Sequence, residues 1–392
     1  MLKVVVDATP LLPNPSGVGL YVYNLINSLH TLSFQENFEL GIVYQPSLKN
    51  WLLGNLSFPA LLETYSNLHL LPLPVRVLNL LAAFPNPLLS YFEGGFGYPN
   101  IFHGTNYAVY PCQKSLKVMN IYDLSFIKYP NYVNSVVRTY TKRVKQSLKW
   151  SNLVITISES SKKDIVEYLN VPPERIYVTP LASRYYPNYL EEHLIDKAVN
   201  TIKYNFDKPY FLFVSTIEPR KNIITLISAF NRLKEKHKIE HHLILIGQKG
   251  WRYEQIFAEI ERSPWKDQIH HLNYLSDQEV ALFYSKADAF VYPSHYEGFG
   301  LPVLEAMTLG TPVVTSNTSS LPEVAGDAAL LIDPNDSCSL AEAMLRVIND
   351  SQLRNELIQK GQHRAKLYSW ETTAKATLQA YKALLSEKRS GE

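Results

Sequence analysis

The sequence predicts an α/β protein with two parallel sheets, each covered by helices. Short continuous apolar runs alternate with amphipathic segments along the whole chain, which is the pattern of buried parallel strands and their crossover helices. The length of 392 residues suits two domains of ordinary size, and the apolar share of 46% is enough for two cores. The chain contains neither short repeats nor a low-complexity tract that would favour another architecture.

The first half of the chain has the alternation of an α/β sheet. Leu2 to Val6 is a continuous apolar run suited to a buried strand, and the segment after Gly19 has apolar residues at helical spacing. Further strands are predicted at residues 40–44, 101–103, 118–122, 153–157 and 175–178. Ligands bind such sheets at the carboxyl ends of strands, so residues at these ends are expected to share a cleft. They are Gly17, Gly19, His103 and Asp123.

The second half repeats the alternation after a segment without a clear strand, residues 181–207, which is interpreted as a linker. Its strands are predicted at residues 210–215, 242–247, 269–274, 289–292, 311–315 and 329–332. Ser339 and Glu342 have the spacing of a capping box and predict the start of a helix. The chain therefore divides into an N-terminal domain, residues 1–190, and a C-terminal domain, residues 200–369.

Composition restricts the function classes. The 38 basic and 36 acidic residues nearly balance, which gives no argument for binding of nucleic acid. Cys112 and Cys338 lie far apart and outside any metal-ligand pattern, so they are expected to be reduced thiols in a cytoplasmic compartment. The N-terminus is interpreted as a strand that ends in Asp7, not as a signal peptide.

Two segments bear on contact with a membrane. Leu68 to Leu89 is interrupted by four prolines and an arginine, so it falls short of the ~20 apolar residues of a spanning helix, and a short apolar helix is predicted from Val75 to Phe84. A helix from Val136 to Trp150 carries basic residues at helical spacing and no acid, a pattern found in helices that lie on anionic lipid. A core helix and a solvated helix face are the simpler interpretations. Peripheral contact with the inner face of the cytoplasmic membrane stays open.

The most informative segment runs from Glu297 to Glu305 and reads Glu-Gly-Phe-Gly-Leu-Pro-Val-Leu-Glu. Gly298 and Gly300 leave room for a ligand near the backbone, and Pro302 is tolerated in a first helical turn. Glu297 is therefore expected in a loop and Glu305 about two turns into a helix. Carboxylates accept hydrogen bonds from hydroxyls, and a helix start binds phosphate. Surface carboxylates on an amphipathic helix are the alternative.

A second segment, Phe213 to Asn222, predicts a buried strand, a short loop and a helix from about Asn222. Arg220 and Lys221 lie at the N-terminus of that helix, where cations are unfavourable unless an anion lies between them and the helix. A guanidinium fork and an ammonium point charge suit a phosphate. A solvated basic loop is the alternative.

Together these segments resemble family 4 glycosyltransferases of the GT-B type, above all the bacterial mannosyl- and glucosyltransferases that build surface polysaccharides. The resemblance runs nearly end to end and includes residues 16–19, 102–107, 123–130, 154–159, 321–326 and 369–371. It implies two Rossmann-like domains that face each other across a cleft. It also implies that the last helix, residues 370–392, packs back on the N-terminal domain.

The resemblance implies a nucleotide-sugar donor, a UDP- or GDP-hexose, bound mainly by the C-terminal domain. Arg220 and Lys221 are expected at the diphosphate, Glu305 at the ribose hydroxyls and Glu297 at the hydroxyls of the donor sugar. The remaining donor-binding residues are expected to be Gly17, Gly19, Ser215, Thr216, Tyr274, Leu275, Gly298, Phe299, Gly300 and Leu301.

The implied reaction transfers glucose or mannose, with retention, to a saccharide or lipid-linked saccharide during assembly of a surface polysaccharide. Negative charge builds on the departing diphosphate. The chain has no Asp-x-Asp triplet, so Lys221, Arg220 and helix amides are expected to stabilise this charge without a metal or another cofactor. No covalent nucleophile is assigned, because a same-face substitution is favoured in this family.

The chain departs from the family pattern at Tyr122, where a histidine usually precedes Asp123. Tyr122 can still donate a hydrogen bond, but it does not titrate near neutrality. Asp123 is expected to orient the acceptor, and His103 either replaces the missing histidine or is a buried, hydrogen-bonded core residue. Leu20 departs from an arginine that is frequent in relatives.

Two other functions compete with an active transferase. A degenerate nucleotide-sugar-binding module with a regulatory role is supported by Tyr122 alone, and turnover would exclude it. A phosphorylase-like enzyme of the same fold would need a lysine that holds pyridoxal phosphate, and no such site is found in the sequence.

Overall fold

The structure, a computed structural model, describes residues 1–11, 17–71, 73–74, 77, 93–130, 140–192, 204 and 206–391. The predicted helix Val75 to Phe84 lies outside these residues, apart from Val77. The described residues form two compact units. The first takes its residues from 1–128, 135–181 and 370–392, and the second from 129–134 and 182–369.

The first unit contains a seven-stranded sheet in the order β3-β2-β1-β4-β5-β6-β7, with every pair parallel. Its strands are β1 (Leu2–Asp7), β2 (Phe38–Tyr44), β3 (Leu68–Leu70), β4 (Ile101–Gly104), β5 (Leu116–Asn120), β6 (Leu153–Thr156) and β7 (Ile176–Val178). Its helices, numbered along the whole chain, are α1 (Val18–Glu36), α2 (Leu48–Leu52), α3 (Ser125–Lys128), α4 (Tyr140–Leu148), α5 (Glu159–Leu169) and, at the end of the chain, α14 (Trp370–Gly391).

The central strands form because their residues are apolar on both faces of the sheet. Val4, Val5 and Val6 are almost fully buried, and β1 pairs with β2 on one side and β4 on the other. The sequence missed β3, a half-buried edge strand of three residues that pairs with β2. The predicted strand β5 extends too far, because the observed strand ends at Asn120 and Tyr122 lies in the loop beyond it.

The second unit contains a six-stranded parallel sheet in the order β10-β9-β8-β11-β12-β13. Its strands are β8 (Tyr210–Val214), β9 (His242–Ile246), β10 (Ile269–Leu272), β11 (Ala289–Tyr292), β12 (Val313–Ser316) and β13 (Ala329–Ile332). Its helices are α6 (Tyr189–Glu192), α7 (Ile223–His237), α8 (Glu254–Arg262), α9 (Asp277–Lys286), α10 (Leu301–Thr308), α11 (Leu321–Ala325), α12 (Ser337–Asn349) and α13 (Ser351–Ala365). The predicted α/β class with two parallel sheets is confirmed.

The predicted capping box at Ser339 and Glu342 is wrong. Helix α12 begins at Ser337, because the carboxylate of Asp336 accepts from the amides of Cys338 at 2.9 Å and Ser339 at 3.1 Å. An aspartate at this position satisfies two helix-start amides and sets the boundary three residues earlier.

Within the first unit, a buried polar chain joins α14 to the sheet. The Nε2 of His103 lies 2.5 Å from Oδ1 of Asn120, and its Nδ1 lies 2.6 Å from the hydroxyl of Tyr381. Burial lowers the pKa of His103 to about 4, so the ring is neutral near neutrality. The Nε2 of the neutral ring therefore donates to Asn120, and its Nδ1 accepts from Tyr381.

Among the described residues, no helix combines the length and apolar character that a membrane span requires.

The buried chain predicts that Tyr381→Phe destabilises the protein by about 1–3 kcal/mol, because the Nδ1 atom of His103 loses its donor in the core. The measurement is urea unfolding at neutral pH. Tyr98→Phe is the control, since Tyr98 is 47% exposed and the same change there is expected to stay within about 0.5 kcal/mol. Equal stability of Tyr381→Phe and the wild type would show that the hydrogen bond contributes nothing.

Candidate functional site

The candidate site is centred on the buried carboxylate of Glu297 in the second unit. Its Oε1 accepts from Nζ of Lys221 at 2.7 Å and from the hydroxyl of Tyr292 at 3.0 Å. Its Oε2 accepts from the guanidinium of Arg220 at 3.1 Å. The side chains of Lys221 and Glu297 are only 7% and 10% exposed, so these contacts are largely shielded from solvent.

The sheet topology places these residues together. The strand order reverses direction around β8, which lies between β9 and β11, and such a switch point opens a crevice at the carboxyl ends of the strands. Arg220 and Lys221 follow β8, whereas Tyr292 ends β11 and Glu297 lies in the loop after it. The sequence did not identify Tyr292, although its place at a strand end was the available signal.

Arg220 and Lys221 lie in a short 3₁₀ turn, Pro219–Lys221, before the helix itself. Asn222 ends this turn in the left-handed conformation at φ 59°, and its amide group donates to the carbonyl of Pro293 at 3.0 Å and to that of Pro334 at 2.6 Å. These bonds fix the turn against the loop that carries Glu297.

The anion that faces both cations in this structure is the carboxylate of Glu297, and Arg220 also contacts Glu218 at 2.7 Å. The sequence had predicted an external anion at this place and did not anticipate the internal one. An ammonium has three donors, and Lys221 uses two of them on Tyr292 and Glu297. One N–H of Lys221 is therefore left for a ligand.

Burial and charge act in opposite directions on this cluster. Burial alone would raise the pKa of Glu297, but Lys221 and Arg220 lower it to about 2. Burial and Arg220 lower the pKa of Lys221, but Glu297 and Tyr292 outweigh them and the pKa is raised. Glu297 and Lys221 are therefore both charged at neutral pH.

The loop after Glu297 is held by two serines that the sequence missed. The amide of Glu297 donates to Oγ of Ser319 at 2.9 Å, and Oγ of Ser320 donates to the carbonyls of Glu297 at 2.9 Å and Phe299 at 2.6 Å. Gly300, at φ 115°, precedes α10, and a Cβ there would lie 2.9 Å from Leu321. The positive φ at this position is the reason for glycine here.

Glu305 is the fifth residue of α10, so it lies just over one turn into the helix and not two. Arg184 donates to its two oxygens at 2.8 and 3.2 Å and to Asp277 at 2.7 Å. The hydroxyl of Tyr284 lies 3.4 Å from Glu305. The sequence missed Arg184, which it had placed in the linker, because no local pattern connects it to a residue 121 positions away.

The other predicted donor-binding residues of the second unit lie around this cluster. Oγ of Ser215 is 3.4 Å from the hydroxyl of Tyr292, whereas Thr216, next in the chain, is exposed. Tyr274 is 73% exposed, and Leu275 is half-buried beside it. Gly298, Phe299 and Leu301 lie between the two glutamates, with Phe299 buried.

The predicted site residues of the first unit lie in different environments. Gly17 caps α1 at φ 49° and Gly19 is buried in the first turn of that helix. Asp123 accepts from the amide and hydroxyl of Ser125 at 2.9 and 2.8 Å. His103 is fully buried with both ring nitrogens bonded, which agrees with the structural alternative for this residue and not with a catalytic role.

Tyr122 also forms its hydrogen bond and ring contacts within the first unit. It is 6% exposed, its hydroxyl donates to the carbonyl of Thr105, and its ring packs edge-on against Tyr21 and Tyr107. A hydrogen bond from Tyr122 to a ligand does not agree with this placement, because the single hydroxyl proton is already donated to Thr105.

Among the described residues, no group of three or more His, Cys, Asp or Glu side chains is arranged to hold a metal ion.

The cluster predicts a specific pH dependence of stability. Because the pKa of Glu297 falls from an ordinary 4.5 to about 2 on folding, its contribution is complete above pH 4.5 and is lost as the pH falls towards 2. We expect the stability difference between the wild type and Glu297→Gln to shrink over this interval in denaturant titrations. Glu342→Gln, at an exposed position of α12, is the control. A difference that stays constant from pH 6 to pH 2.5 would contradict the ion cluster.

A match to a protein family and matches to individual proteins identify the same family. Residues 196–364 match the family described as "Glycosyl transferases group 1". The chain is 37% identical over 287 residues to O-antigen chain mannosyltransferase B of Escherichia coli, a match that covers 72% of this chain and 74% of the relative. It is 29% identical over 235 residues to O-antigen chain mannosyltransferase RfbU of Salmonella typhimurium, covering 59% and 60% of the two chains.

Solved structures support the fold at low identity. Sucrose-phosphate synthase from Thermosynechococcus elongatus matches with a TM-score of 0.75 and 20% identity over 99% of this chain and all of the other. HepE of Anabaena, solved in complex with UDP and glucose, matches with a TM-score of 0.69 and 16% identity over 97% and 99% of the chains. The chain therefore belongs to the group 1 glycosyltransferases, and it is a glycosyltransferase with the GT-B fold.

Proposed function

We propose that this enzyme transfers a mannosyl residue from a nucleotide-activated mannose, with retention of configuration, to a saccharide acceptor in the assembly of a surface polysaccharide. The observation that carries the proposal is the buried cluster of Lys221, Arg220 and Glu297 at the switch point of the second sheet. Mannose is chosen over glucose because the two relatives above are named mannosyltransferases.

The cluster suits a leaving nucleoside diphosphate. Departure of the diphosphate concentrates negative charge on its oxygens, and fixed cations in a dry site stabilise that charge without reorganisation. Lys221 keeps one N–H available, and its raised pKa keeps it charged. Arg220 lies beside it and adds a second positive charge. We propose that these two side chains replace a metal ion at the leaving group.

Glu297 is proposed to bind hydroxyls of the donor sugar and not to act as a nucleophile. Three hydrogen bonds from Lys221, Tyr292 and Arg220 fix its carboxylate in one orientation and lower its basicity. Such a carboxylate is a weak nucleophile but a rigid acceptor. We propose a same-face substitution in which the leaving phosphate takes the proton of the acceptor hydroxyl.

Glu305 is proposed to accept hydrogen bonds from the ribose hydroxyls, with Arg184 as its positioning residue. Arg184 holds both carboxylate oxygens in a bidentate contact, which fixes the direction of the Glu305 side chain. Oε1 accepts one hydrogen bond from Arg184 and retains acceptor capacity for a ribose hydroxyl.

Glu297→Gln is expected to reduce transfer by about 100-fold or more, because the variant replaces a charged acceptor of the cluster by a neutral amide. In Glu297→Gln the buried charge of Lys221 loses its partner, which is itself destabilising. The double variant Lys221→Met/Glu297→Gln removes both charges and is made in parallel. Circular dichroism verifies folding, and Glu342→Gln is the matched control. Near-wild-type turnover in folded Glu297→Gln would overturn the site assignment.

Activity is expected to be unchanged by EDTA, because Lys221 and Arg220 are proposed to take the place of a divalent cation. The measurement is the rate of nucleotide release before and after chelation, with magnesium or manganese added back. Loss of activity that either metal restores would contradict this part of the proposal.

A further inference from the structure

Tyr292 contacts both charged groups at the centre of the candidate site. It ends β11 and is fully buried. Its hydroxyl lies 2.8 Å from Nζ of Lys221 and 3.0 Å from Oε1 of Glu297, and these two atoms are themselves 2.7 Å apart. The hydroxyl, the ammonium and the carboxylate oxygen therefore form a closed triangle of hydrogen bonds, in which Tyr292 is the neutral member.

The hydroxyl of Tyr292 accepts from one charged group and donates to the other. A phenol has one proton and two lone pairs, so it can accept from the ammonium of Lys221 while its proton goes to the carboxylate of Glu297. Burial, and then the charge of Glu297, raise the pKa of Tyr292, so the phenol is protonated at neutral pH. Replacement by phenylalanine would remove one acceptor of Lys221 and keep the ring.

Two acceptors determine both where the nitrogen of Lys221 lies and where its third N–H points. The N–H bonds of an ammonium are tetrahedral, so the contacts with Tyr292 and Glu297 leave one direction for the remaining donor. Without the Tyr292 hydroxyl, a second N–H of a side chain that is only 7% exposed would lack an acceptor. A lysine stem is flexible, so the nitrogen would move towards another acceptor and away from its present position.

The surroundings of Tyr292 make its hydroxyl a fixed acceptor. The rings of Phe213 on β8 and Phe290 on β11 both lie with centres 5.6 Å from that of Tyr292, at interplanar angles of 25° and 20°. Thr315 on β12 donates to the main-chain carbonyl of Tyr292 at 2.7 Å. The strands β8 and β12 are the two that pair with β11, so both neighbours of the strand hold the residue in place. Packing of this kind preorganises a site that depends on direction.

We propose that Tyr292 is a positioning residue that directs the third N–H of Lys221 towards the diphosphate of the donor. Its own proton is donated to Glu297, so it acts on the diphosphate through Lys221 and not by direct donation. The inference rests on the proposed function, because it concerns how Lys221 stabilises the leaving group. A lysine held by Glu297 alone would keep its charge but lose its direction, and a misplaced charge stabilises a transition state less well.

The experiment is a double-mutant cycle on the binding of nucleoside diphosphates, with UDP and GDP titrated calorimetrically into the full chain. Each carries the charge of the leaving group but no sugar, so its affinity does not report on contacts between Glu297 and sugar hydroxyls. We expect Tyr292→Phe to weaken binding of the preferred nucleotide by about 3-fold to 10-fold, the size of one hydrogen bond. In the Lys221→Met background the same change is expected to alter affinity by less than about 2-fold, because no ammonium is left to position.

Turnover is the second readout, and Tyr210→Phe is the matched control for loss of a buried tyrosine hydroxyl. Tyr210 begins β8, is 1% exposed and donates to the carbonyl of Phe283 at 2.8 Å. We expect kcat for nucleotide release from the preferred donor to fall by about 10-fold to 100-fold in Tyr292→Phe, with a smaller change in KM. Tyr210→Phe is expected to leave both nucleotide affinity and kcat unchanged. Circular dichroism verifies that each variant is folded.

The outcomes separate the positioning role from the proposed function. Wild-type affinity and kcat in folded Tyr292→Phe would overturn the positioning role alone. So would an equal loss of affinity from Tyr292→Phe with and without Lys221, since the hydroxyl would then act by another route. Equal losses of kcat in Tyr210→Phe and Tyr292→Phe would reduce Tyr292 to a structural role. A wild-type enzyme that binds neither UDP nor GDP would contradict the proposed function and, with it, the inference.

Discussion

An ionised carboxylate is stable in a protein interior only when hydrogen-bond donors or cations surround it, and this constraint organises the second unit. Glu297 is almost fully buried and satisfies the constraint with Lys221, Arg220 and Tyr292. These residues come from two strands and their following loops, so the ion cluster also fixes the ends of β8 and β11 relative to each other. The Asn222 turn and the Ser319–Ser320 contacts then hold the backbone that carries the charges.

The same cluster contributes to the stability of the second unit and to the proposed transfer reaction. A site that must stabilise a departing diphosphate needs positive charge that is already desolvated before the substrate arrives, and Glu297 helps to keep Lys221 charged. Arg184 and Glu305 repeat the arrangement about one helical turn into α10.

The sequence predicted the fold well because parallel strands depend on local apolar runs. Ala289 to Tyr292 and Ala329 to Ile332 were predicted to the residue, and most other strands within two residues. The short edge strand β3 was missed, because a half-buried strand of three residues has too little pattern to recognise. The helix start at Ser339 was misplaced because the motif did not reveal that Asp336 accepts the same amides first.

The candidate site was predicted only in part. Arg220, Lys221 and Glu297 were identified from their motifs, but their mutual ion pairs were not, since spacing along the chain does not show which charges meet. Arg184 was missed because its partner Glu305 lies 121 positions away, and Tyr292 because its partner Lys221 lies 71 positions away. His103 was considered for catalysis because it ends a strand, and Tyr122 because it stands where the family usually has a histidine. Burial and hydrogen bonds to Tyr381, Asn120 and Thr105 occupy their polar atoms.

Mannosyl transfer at the Glu297 cluster is tested most directly by nucleotide release by the wild-type enzyme from a panel of UDP- and GDP-linked mannose and glucose, without acceptor. We expect slow release from a mannose nucleotide, at a rate clearly above that from the glucose nucleotide with the same base. Absence of both release and binding for every donor in the panel would contradict a nucleotide-sugar site at Glu297. Release from glucose donors alone would contradict mannosyl transfer.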